Sequence, residues 1–279
     1  MRLLFSTAFL AIAGALVLIA HEIWFLPDGR LHVRVLDVQQ GDSILLQSPS
    51  GKQVLVDGGP DLSTLEYLGK YMPFFDRSID LVILTHPHDD HIAALPEILR
   101  RYSVGALLLA GTRSETPRYL ALLEEASQRH VPIIFADPAQ DIALGDGTVL
   151  DILWPDTQAT QDKNPNNASV VIRVLSAQET VLLSGDIEEP AENALLASGA
   201  DVRAEFFKMP HHGSDTSSST GFLLAINPQE AFLSVGKENS FGHPRPSTLA
   251  RYSHFGIPLH STAQEGTLSV LPSPLGQER

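Results

Sequence analysis

The sequence contains no cysteine among its 279 residues. A disulfide framework and a thiolate metal site are therefore both excluded, and any bound metal must use histidine and carboxylate ligands. The absence is compatible with an oxidising compartment but does not demonstrate one. The sequence also lacks a strict internal repeat and any low-complexity segment, and nothing in its composition predicts disorder.

Basic residues are scarce as well. Lysine and arginine number 19 against 33 aspartates and glutamates, which gives a formal net charge of −14. Binding to nucleic acid usually leaves a basic footprint, so this charge argues against a broad, tight DNA-binding groove. Bound divalent cations would offset part of it, because aspartate ligands are counted as bare charges. The length fits one large α/β domain or two small ones.

One long hydrophobic run lies near the N-terminus, where residues 3–20 carry no charge. As a helix, this run would rise about 27 Å, close to the hydrocarbon thickness of a bilayer. It is either a signal peptide or an uncleaved anchor. Leu18 stands where a cleavage site after Ala20 would favour a small residue, and this favours the anchor. We assign residues 1–24 to this N-terminal membrane anchor or signal segment.

The single positive side chain before this run, Arg2, predicts the orientation of the body. By the positive-inside rule, the body lies outside the cytoplasm. We therefore expect an extracytoplasmic protein, anchored to the membrane by residues 3–20 or exported after cleavage.

The body alternates strand-like and helix-like segments, and it does so twice. Short apolar stretches bounded by turn residues predict strands, for example Ile44–Gln47 and Thr180–Leu183. Longer stretches predict helices, for example residues 62–71 and Glu189–Ala197. Two sheets packed face to face with helices outside would satisfy this order. The polar stretch at residues 155–165 predicts a mobile surface loop.

The central motif is Thr-His-Pro-His-Asp-Asp-His at residues 85–91, which follows an apolar strand and precedes a helix. The strand end gives a rigid position, and a tight turn lets several side chains converge. Imidazole and carboxylate are the ligands that zinc, manganese and iron prefer. The alternative is an exposed turn in which Asp90 caps a helix, but three histidines in six residues serve no capping purpose. The candidate ligands are His86, His88, Asp90 and His91.

Two further aspartates, Asp57 and Asp186, also follow apolar strands. Asp186 could bridge two metals, and Asp57 could orient a ligand histidine from behind. Each also has a simpler interpretation as a turn residue next to glycine. Among the eleven histidines, three clusters stand out, namely residues 86, 88 and 91, residues 211 and 212, and residue 243. We expect the other five to be surface or structural residues: His21, His32, His130, His254 and His260.

The central motif with the downstream Gly185-Asp186 resembles the metallo-β-lactamase superfamily. Within it, five more motifs occur in the order and spacing of the hydrolase domain of ComEC-type DNA-uptake proteins. They are Leu-Asp-Val-Gln-Gln-Gly-Asp-Ser at 36–43, Val-Asp-Gly-Gly at 56–59, Asn-Asn-Ala-Ser at 166–169, Pro-His-His-Gly-Ser at 210–214 and Gly-His-Pro at 242–244. The resemblance covers about residues 31–271. We assign residues 30–272 to one metallo-β-lactamase-fold hydrolase domain.

The resemblance implies an αββα sandwich of two mixed sheets with outer helices and a site for two divalent metal ions, zinc or manganese, at one edge. It implies that His86 and His88 hold the first metal, that Asp90, His91 and His243 hold the second, and that Asp186 bridges them. His211 or His212 would be the general acid or an extra ligand, and the resemblance does not say which. Residues expected to support the ligands or contact substrate are Asp42, Asp57, Asn166, Asn167 and Ser214.

The sequence departs from the family pattern where a further histidine usually reaches the first metal. The loop before Ser169 offers Asn166 and Asn167 instead. A site with fewer imidazoles should hold that metal more loosely and tolerate manganese better. Asn167 could bind through its carbonyl oxygen or contact substrate. Gly213 and Ser214 open a serine-rich stretch that forms either a backbone cradle for phosphate or a flexible turn.

The resemblance predicts a phosphodiesterase or nuclease acting on a phosphodiester such as DNA. Two cations would lower the pKa of a shared water, so that hydroxide forms at neutral pH. Asp90 and Asp186 would orient metals and nucleophile, and His211 or His212 would protonate the leaving oxygen. One alternative is an acyl-type hydrolase of a lactone, thioester or β-lactam; another is a non-catalytic anchored binding module. The sequence indicates no protein partner, and we do not expect the chain to be the DNA channel itself.

Overall fold

The computed structural model describes residue 9 and residues 12–19, 26–177 and 179–270. Much of the predicted membrane segment, namely residues 1–8, 10, 11 and 20–24, therefore lies outside the described residues. Residues 12–19 are helical. Among the helices that are described, none has the length and apolar character needed to span a bilayer. The prediction of an anchor or signal peptide stays a prediction.

Two mixed seven-stranded sheets form the centre of the described body. The first sheet has the spatial order β14-β1-β2-β3-β4-β5-β6. Strands β3 to β6 run parallel to one another, whereas β1, β2 and β14 pair antiparallel. Its strands are β1 (His32–Val35), β2 (Ile44–Gln47), β3 (Gln53–Val56), β4 (Ser78–Leu84), β5 (Ser103–Leu109), β6 (Ile133–Phe135) and β14 (Leu268–Val270).

The second sheet has the order β13-β12-β11-β10-β9-β8-β7. Strands β10 to β13 are parallel, and β7 to β10 pair antiparallel. Each sheet thus has a parallel half, and the carboxyl ends of parallel strands lie at one edge of their sheet. The strands are β7 (Ile142–Ala143), β8 (Val149–Trp154), β9 (Val171–Leu175), β10 (Thr180–Leu183), β11 (Phe206–Lys208), β12 (Glu230–Leu233) and β13 (Leu259–Ser261).

Helices cover the outer face of each sheet. Residues of α1, α3 and α4 share an apolar cluster with the first sheet, and residues of α5, α6 and α7 share one with the second. The described helices are α1 (Ser63–Tyr71), α2 (Asp89–Ile92), α3 (Leu95–Arg101), α4 (Pro117–Gln128), α5 (Glu189–Ala197), α6 (Thr220–Ile226), α7 (Pro246–His254) and α8 (Thr262–Glu265).

A third apolar cluster lies between the two sheets and holds them together. Side chains alternate along each strand, so Val54 and Val56 point into this cluster while Leu55 points toward the helices. Strands buried on both faces read as continuous apolar runs, which is why the central strands lack a polar alternation. The predicted αββα sandwich of two mixed sheets with outer helices is confirmed.

Some local predictions differ from the structure. The helix predicted over residues 92–102 is two helices, α2 and α3, and the short elements β7 and α8 were not predicted. The loop at residues 155–165 contains a 3₁₀ turn, Ala159–Gln161. The Asp156 carboxylate accepts hydrogen bonds from the backbone amides of Gln158 and Ala159. The polar residues of this loop therefore bond locally, and its predicted mobility stays a prediction.

Candidate metal centre

The candidate site lies at the edge where the parallel strands of both sheets end. The central motif follows β4, Asp186 follows β10, and the two adjacent histidines follow β11. Segments far apart in sequence therefore meet in one place. They surround a cleft of about 510 Å³. The predicted site residues that line it are His88, Asp90, Asn166, Asp186, His211, His212 and His243.

The first pair of ligand-type nitrogens belongs to His86 and His88. Strand β4 ends at Leu84, and the Thr85 amide and hydroxyl donate to the Asp57 carboxylate at 2.8 and 2.7 Å. This contact fixes the start of the turn. His86 Nε2 then lies 3.0 Å from His88 Nδ1. This spacing would let both nitrogens reach one ion, but His88 joins none of the close ligand groups found among the described residues.

His91 is held from behind by Asp57. Its Nδ1 donates to Asp57 Oδ2 at 2.8 Å, and both side chains are fully buried. Because Nδ1 carries the hydrogen, the Nε2 lone pair is directed away from Asp57. Nε2 lies 3.3 Å from Asp186 Oδ2 and 4.0 Å from Asp90 Oδ1. Asp57 thus occupies the place from which a carboxylate orients a ligand histidine.

His212 lies beside the same carboxylates. Its Nδ1 donates to the Ser234 carbonyl oxygen at 2.8 Å, so its Nε2 lone pair also faces the site. Nε2 lies 3.5 Å from Asp90 Oδ2 and 3.3 Å from Asp186 Oδ2. Only 1% of this residue is exposed, so its ring belongs to the buried part of the centre.

His211 points into the cleft instead. Consecutive left-handed φ angles, 50° at His211 and 52° at His212, turn the two side chains apart. Non-glycine residues rarely adopt this conformation, which indicates that the surroundings enforce it. The His211 Nδ1 atom lies 3.3 Å from the Thr216 hydroxyl and 3.6 Å from Glu188 Oε1.

The electrostatics of the site favour positive charge on two of its histidines, His91 and His212, whereas burial lowers the pKa values of His86 and His211. Burial lowers the pKa of His91, but Asp186, Asp57 and Asp90 raise it by more, so the pKa lies well above its ordinary value. The pKa of His212 is likewise raised to about 10, because Asp186 and Asp42 outweigh burial. Carboxylates that stabilise a proton on these nitrogens also stabilise a metal cation there.

The residues present fit a pair of divalent metal ions. Three buried histidine nitrogens among the described residues, His91 Nε2, His212 Nε2 and His243 Nδ1, have no hydrogen-bond partner, nor does Asp186 Oδ1. One ligand atom each from His86, His91 and Asp186 lie within 4.8 Å of one another, and the same holds for Asp90, His91 and His212. Imidazole and carboxylate form the donor set of zinc and manganese.

His243 does not lie where the resemblance implied. It was expected beside Asp90 and His91, and His212 is found there. The His243 ring lies on the rim of the cleft, 5.5 Å from the His211 ring and 6.0 Å from the Phe241 ring. Among the described residues it joins no close group of potential ligands. A ligand role for His243 therefore stays a prediction, and the distances favour His212.

The two neighbouring asparagines point in different directions. Asn166 lines the cleft, and its amide donates to Glu188 Oε1 at 3.0 Å. Asn167 instead donates to Asp162 Oδ2 at 3.2 Å and lines a separate cavity beside Trp154. Both lie in the 3₁₀ turn Pro165–Ala168, where three residues per turn separate adjacent side chains. Asn166 alone is placed to contact a ligand in the cleft.

The other two supporting candidates have structural contacts. Ser214 is not part of the cleft lining; its hydroxyl lies 3.0 Å from that of Thr216, and its carbonyl oxygen accepts from Thr248. Asp42 forms a buried ion pair with Lys208. Burial lowers the pKa of Lys208, but Asp42 and Asp186 raise it by more, so it remains above its ordinary value.

Sequence reasoning missed Lys208, Glu188 and Ser234. The signal for Lys208 is a lysine at the end of an otherwise apolar strand, immediately before the motif at residues 210–214. The signal for Glu188 is its position two residues after Asp186, in the turn that follows an apolar strand. Ser234 contributes through its backbone, which no side-chain pattern reveals.

Gly41 ties the loop at residues 36–43 to this centre. Its φ of +131° is open to glycine, and an added Cβ would lie 2.1 Å from the Asp90 carbonyl oxygen. The next amide, that of Asp42, donates to this oxygen at 3.2 Å. The Gly41 carbonyl in turn accepts from the Ser234 hydroxyl at 2.6 Å. One close backbone approach thus joins both sheets beside the site.

The fold and this arrangement of ligands define the class of protein. Residues 36–237 match the family model described as the metallo-beta-lactamase superfamily, and the chain belongs to that superfamily. Among solved structures, it is similar to the metallo-beta-lactamase fold protein YhfI from Bacillus subtilis. The TM-score is 0.53 at 16% identity, over 82% of this chain and 96% of the other.

Within this superfamily, the chain is similar to proteins whose names refer to competence. The chain is 27% identical over 253 residues to ComE operon protein 3 of Bacillus subtilis, covering 85% of this chain. It is also 27% identical over 247 residues to competence protein ComA of Neisseria gonorrhoeae, covering 87% of this chain. The match spans 32% of the length of each relative. The predicted resemblance to competence proteins is confirmed.

Proposed function

We propose that the protein is a dinuclear metal-dependent phosphodiesterase that cleaves DNA strands. The observation that supports this most strongly is a pair of potential ligand groups that share His91. Three members of these groups, Asp90, Asp186 and His212, line an open cleft. The relatives with competence names support DNA as the source of the phosphodiester.

His86, His88 and Asp186 would hold one ion, and Asp90, His91 and His212 would hold the other, with Asp186 shared. Two divalent ions supply Lewis acidity toward a phosphoryl group and acidify water. The protein's own contribution is to fix the ligand rings. Asp57 sets His91, and the Ser234 carbonyl sets His212. Each carries its hydrogen on Nδ1 and therefore presents Nε2 to the site.

His211 is the residue placed to give a proton to the leaving oxygen. Both histidines line the cleft, but His211 is partly exposed there whereas only 1% of His212 is exposed. Glu188 and Thr216 lie on the Nδ1 side of His211, and the Asn166 amide lies 3.5 Å from its Nε2. Both ring nitrogens of His211 therefore have polar neighbours, and the ring lines the cleft. General-acid assistance of this kind contributes roughly 10²- to 10⁴-fold.

The negative charge of the chain fits a small site better than a broad DNA groove. With a formal net charge of −14, affinity for DNA would come from contacts in the cleft. We further propose that the body works outside the cytoplasm, attached through residues 3–20 or released after cleavage. The uncharged N-terminal run supports this location.

The test uses the full chain, stripped of metal and then reloaded separately with manganese or zinc. Each form is assayed against bis-p-nitrophenyl phosphate, labelled single-stranded DNA and nitrocefin. Metal-dependent cleavage of both diesters that is lost in Asp186→Asn is expected. Asp137→Asn is the matched control, since Asp137 is an exposed turn residue that accepts from the Ala139 amide. Turnover of nitrocefin alone would show an acyl-type hydrolase and overturn the proposal.

A further inference from the structure

Lys208 is a fully buried lysine beneath the candidate metal centre. It ends strand β11, and only 1% of it is exposed. Its ammonium pairs with the Asp42 carboxylate and donates to the Gly185 carbonyl oxygen at 3.2 Å. It also lies 3.5 Å from Asp186 Oδ1. The opposite oxygen, Oδ2, faces His91 and His212.

A purely structural role explains this arrangement poorly. Taking two charges out of water is costly, and a buried pair is often no more stabilising than apolar residues of similar volume. Stabilisation of the fold alone therefore does not account for a buried lysine at this position. What the lysine does add is one positive charge that reaches the shared carboxylate of the proposed centre.

The charges next to His91 and His212 can be counted from their contacts. Four carboxylates lie beside His91 or His212. Among the described residues, Lys208 is the only lysine or arginine that forms an ion pair with any of them. The four carboxylates and the Lys208 ammonium together carry a charge of −3. Two divalent ions would bring the charge of the loaded centre to +1. Without Lys208 the loaded centre would be neutral. The four carboxylates are Asp42, Asp57, Asp90 and Asp186.

We propose that Lys208 sets the charge of the centre, so that it remains positive when loaded and attracts anionic phosphodiesters. The lysine weakens metal binding, because like charges repel, and it strengthens anion binding for the opposite reason. This inference rests on the proposed function. The inference adds a role for two residues next to the ligands. Lys208 would lower metal affinity and raise anion affinity, and Asp42 would do the opposite.

The test changes the charge by one unit in each direction. Lys208→Met removes a positive charge, and Asp42→Asn removes a negative one, both in the full chain. Metal affinity is measured by competition with a chelator for zinc and manganese. Anion affinity is measured on the loaded protein with inorganic phosphate as the probe.

Lys208→Met is expected to bind metal at least about tenfold more tightly and phosphate at least about tenfold more weakly. Asp42→Asn is expected to do the reverse. The double variant restores the charge and should return both affinities to within about threefold of the parent, because the two opposite charge changes cancel. If Lys208→Met fails to fold, Lys208→Gln replaces it, and the same two affinities are compared with those of Asp42→Asn.

A structural role alone would lower the melting temperature of each single variant without moving the two affinities in opposite directions, and that result would overturn the inference. Diester cleavage by the parent together with unchanged affinities in both variants would also overturn it while leaving the proposed function intact. A parent chain that binds no divalent metal would overturn both.

Discussion

His212 donates its Nδ1 hydrogen to the Ser234 carbonyl oxygen at 2.8 Å. This bond turns Nε2 toward Asp90 and Asp186, and Nε2 has no hydrogen-bond partner of its own. Its neighbour His211 lines the cleft and contacts Thr216 and Glu188. Two consecutive histidines are thereby separated into a buried, ligand-type ring and a partly exposed ring in the cleft.

Alanine substitutions should separate these two roles. His212→Ala is expected to lose metal affinity by on the order of 100-fold or more, because it removes a nitrogen from the ligand group. His211→Ala is expected to keep its metal and lose about 10²- to 10⁴-fold in kcat for diester cleavage. Metal content by atomic spectroscopy and steady-state kinetics check both. Equal metal loss in the two variants would contradict the assignment.

His243→Ala tests the remaining histidine. The position of its ring on the rim predicts unchanged metal affinity together with a higher KM for a diester substrate. If the variant instead loses one metal equivalent, His243 is the ligand that the resemblance implied, and His212 is not.

Asp57→Asn should weaken metal binding by about 10- to 100-fold without removing any ligand, because carboxylate support behind a histidine sets its orientation. The matched control is Asp76→Asn. Asp76 also accepts from backbone and side chain, at the opposite end of β4. Chelator competition measures both variants. Similar affinities in Asp57→Asn and the parent would show that His91 is fixed by packing alone.

Metal binding at pH 7 should release about two protons, because the raised pKa values of His91 and His212 keep both rings protonated in the metal-free protein. Titration calorimetry in two buffers of different ionisation enthalpy measures this release. Heats that do not depend on the buffer would contradict it.

The same pKa values predict how stability depends on pH. A histidine pKa raised above the unfolded value of about 6.5 contributes stability below that pH, and the contribution is lost as pH rises toward the folded value, about 10 for His212. The melting temperature of the metal-free protein should therefore fall over this window. Bound metal should reduce the slope.

Gly41→Ala should destabilise the protein by about 2 kcal/mol or more, since an added Cβ meets the Asp90 carbonyl at 2.1 Å and φ is +131°. Gly69→Ala is the control. It lies in helix α1 with nothing within 4 Å of an added Cβ, and it should gain about 0.5–1 kcal/mol. Denaturant unfolding measures both. Equal effects would show that the approach at Gly41 is not constrained.

Much of the fold could be predicted from the sequence, because both sheets are made of apolar runs separated by turn residues. Strands Ile44–Gln47 and Thr180–Leu183 and helix Glu189–Ala197 have the predicted bounds. The division of residues 92–102 between α2 and α3 was missed, because a break after Ile92 leaves the apolar periodicity unchanged. The two-residue strand β7 is too short for any period to appear.

The candidate site was predictable where one short motif carries several ligands, as at residues 85–91. The site was less predictable where the backbone conformation determines the direction of a side chain. Left-handed φ angles at His211 and His212 turn equivalent side chains apart, and the 3₁₀ turn does the same for Asn166 and Asn167. The role of Lys208 at the end of β11 was not predicted, because its partners Asp42 and Asp186 come from distant segments.

Turnover as a function of metal equivalents tests the dinuclear centre most directly. The stripped full chain is titrated with manganese while cleavage of bis-p-nitrophenyl phosphate is followed. We expect the rate to rise until two equivalents are bound per chain, and we expect Asp186→Asn to stay inactive throughout. A rate that is independent of added metal, or unchanged in Asp186→Asn, would contradict a metal-dependent phosphodiesterase.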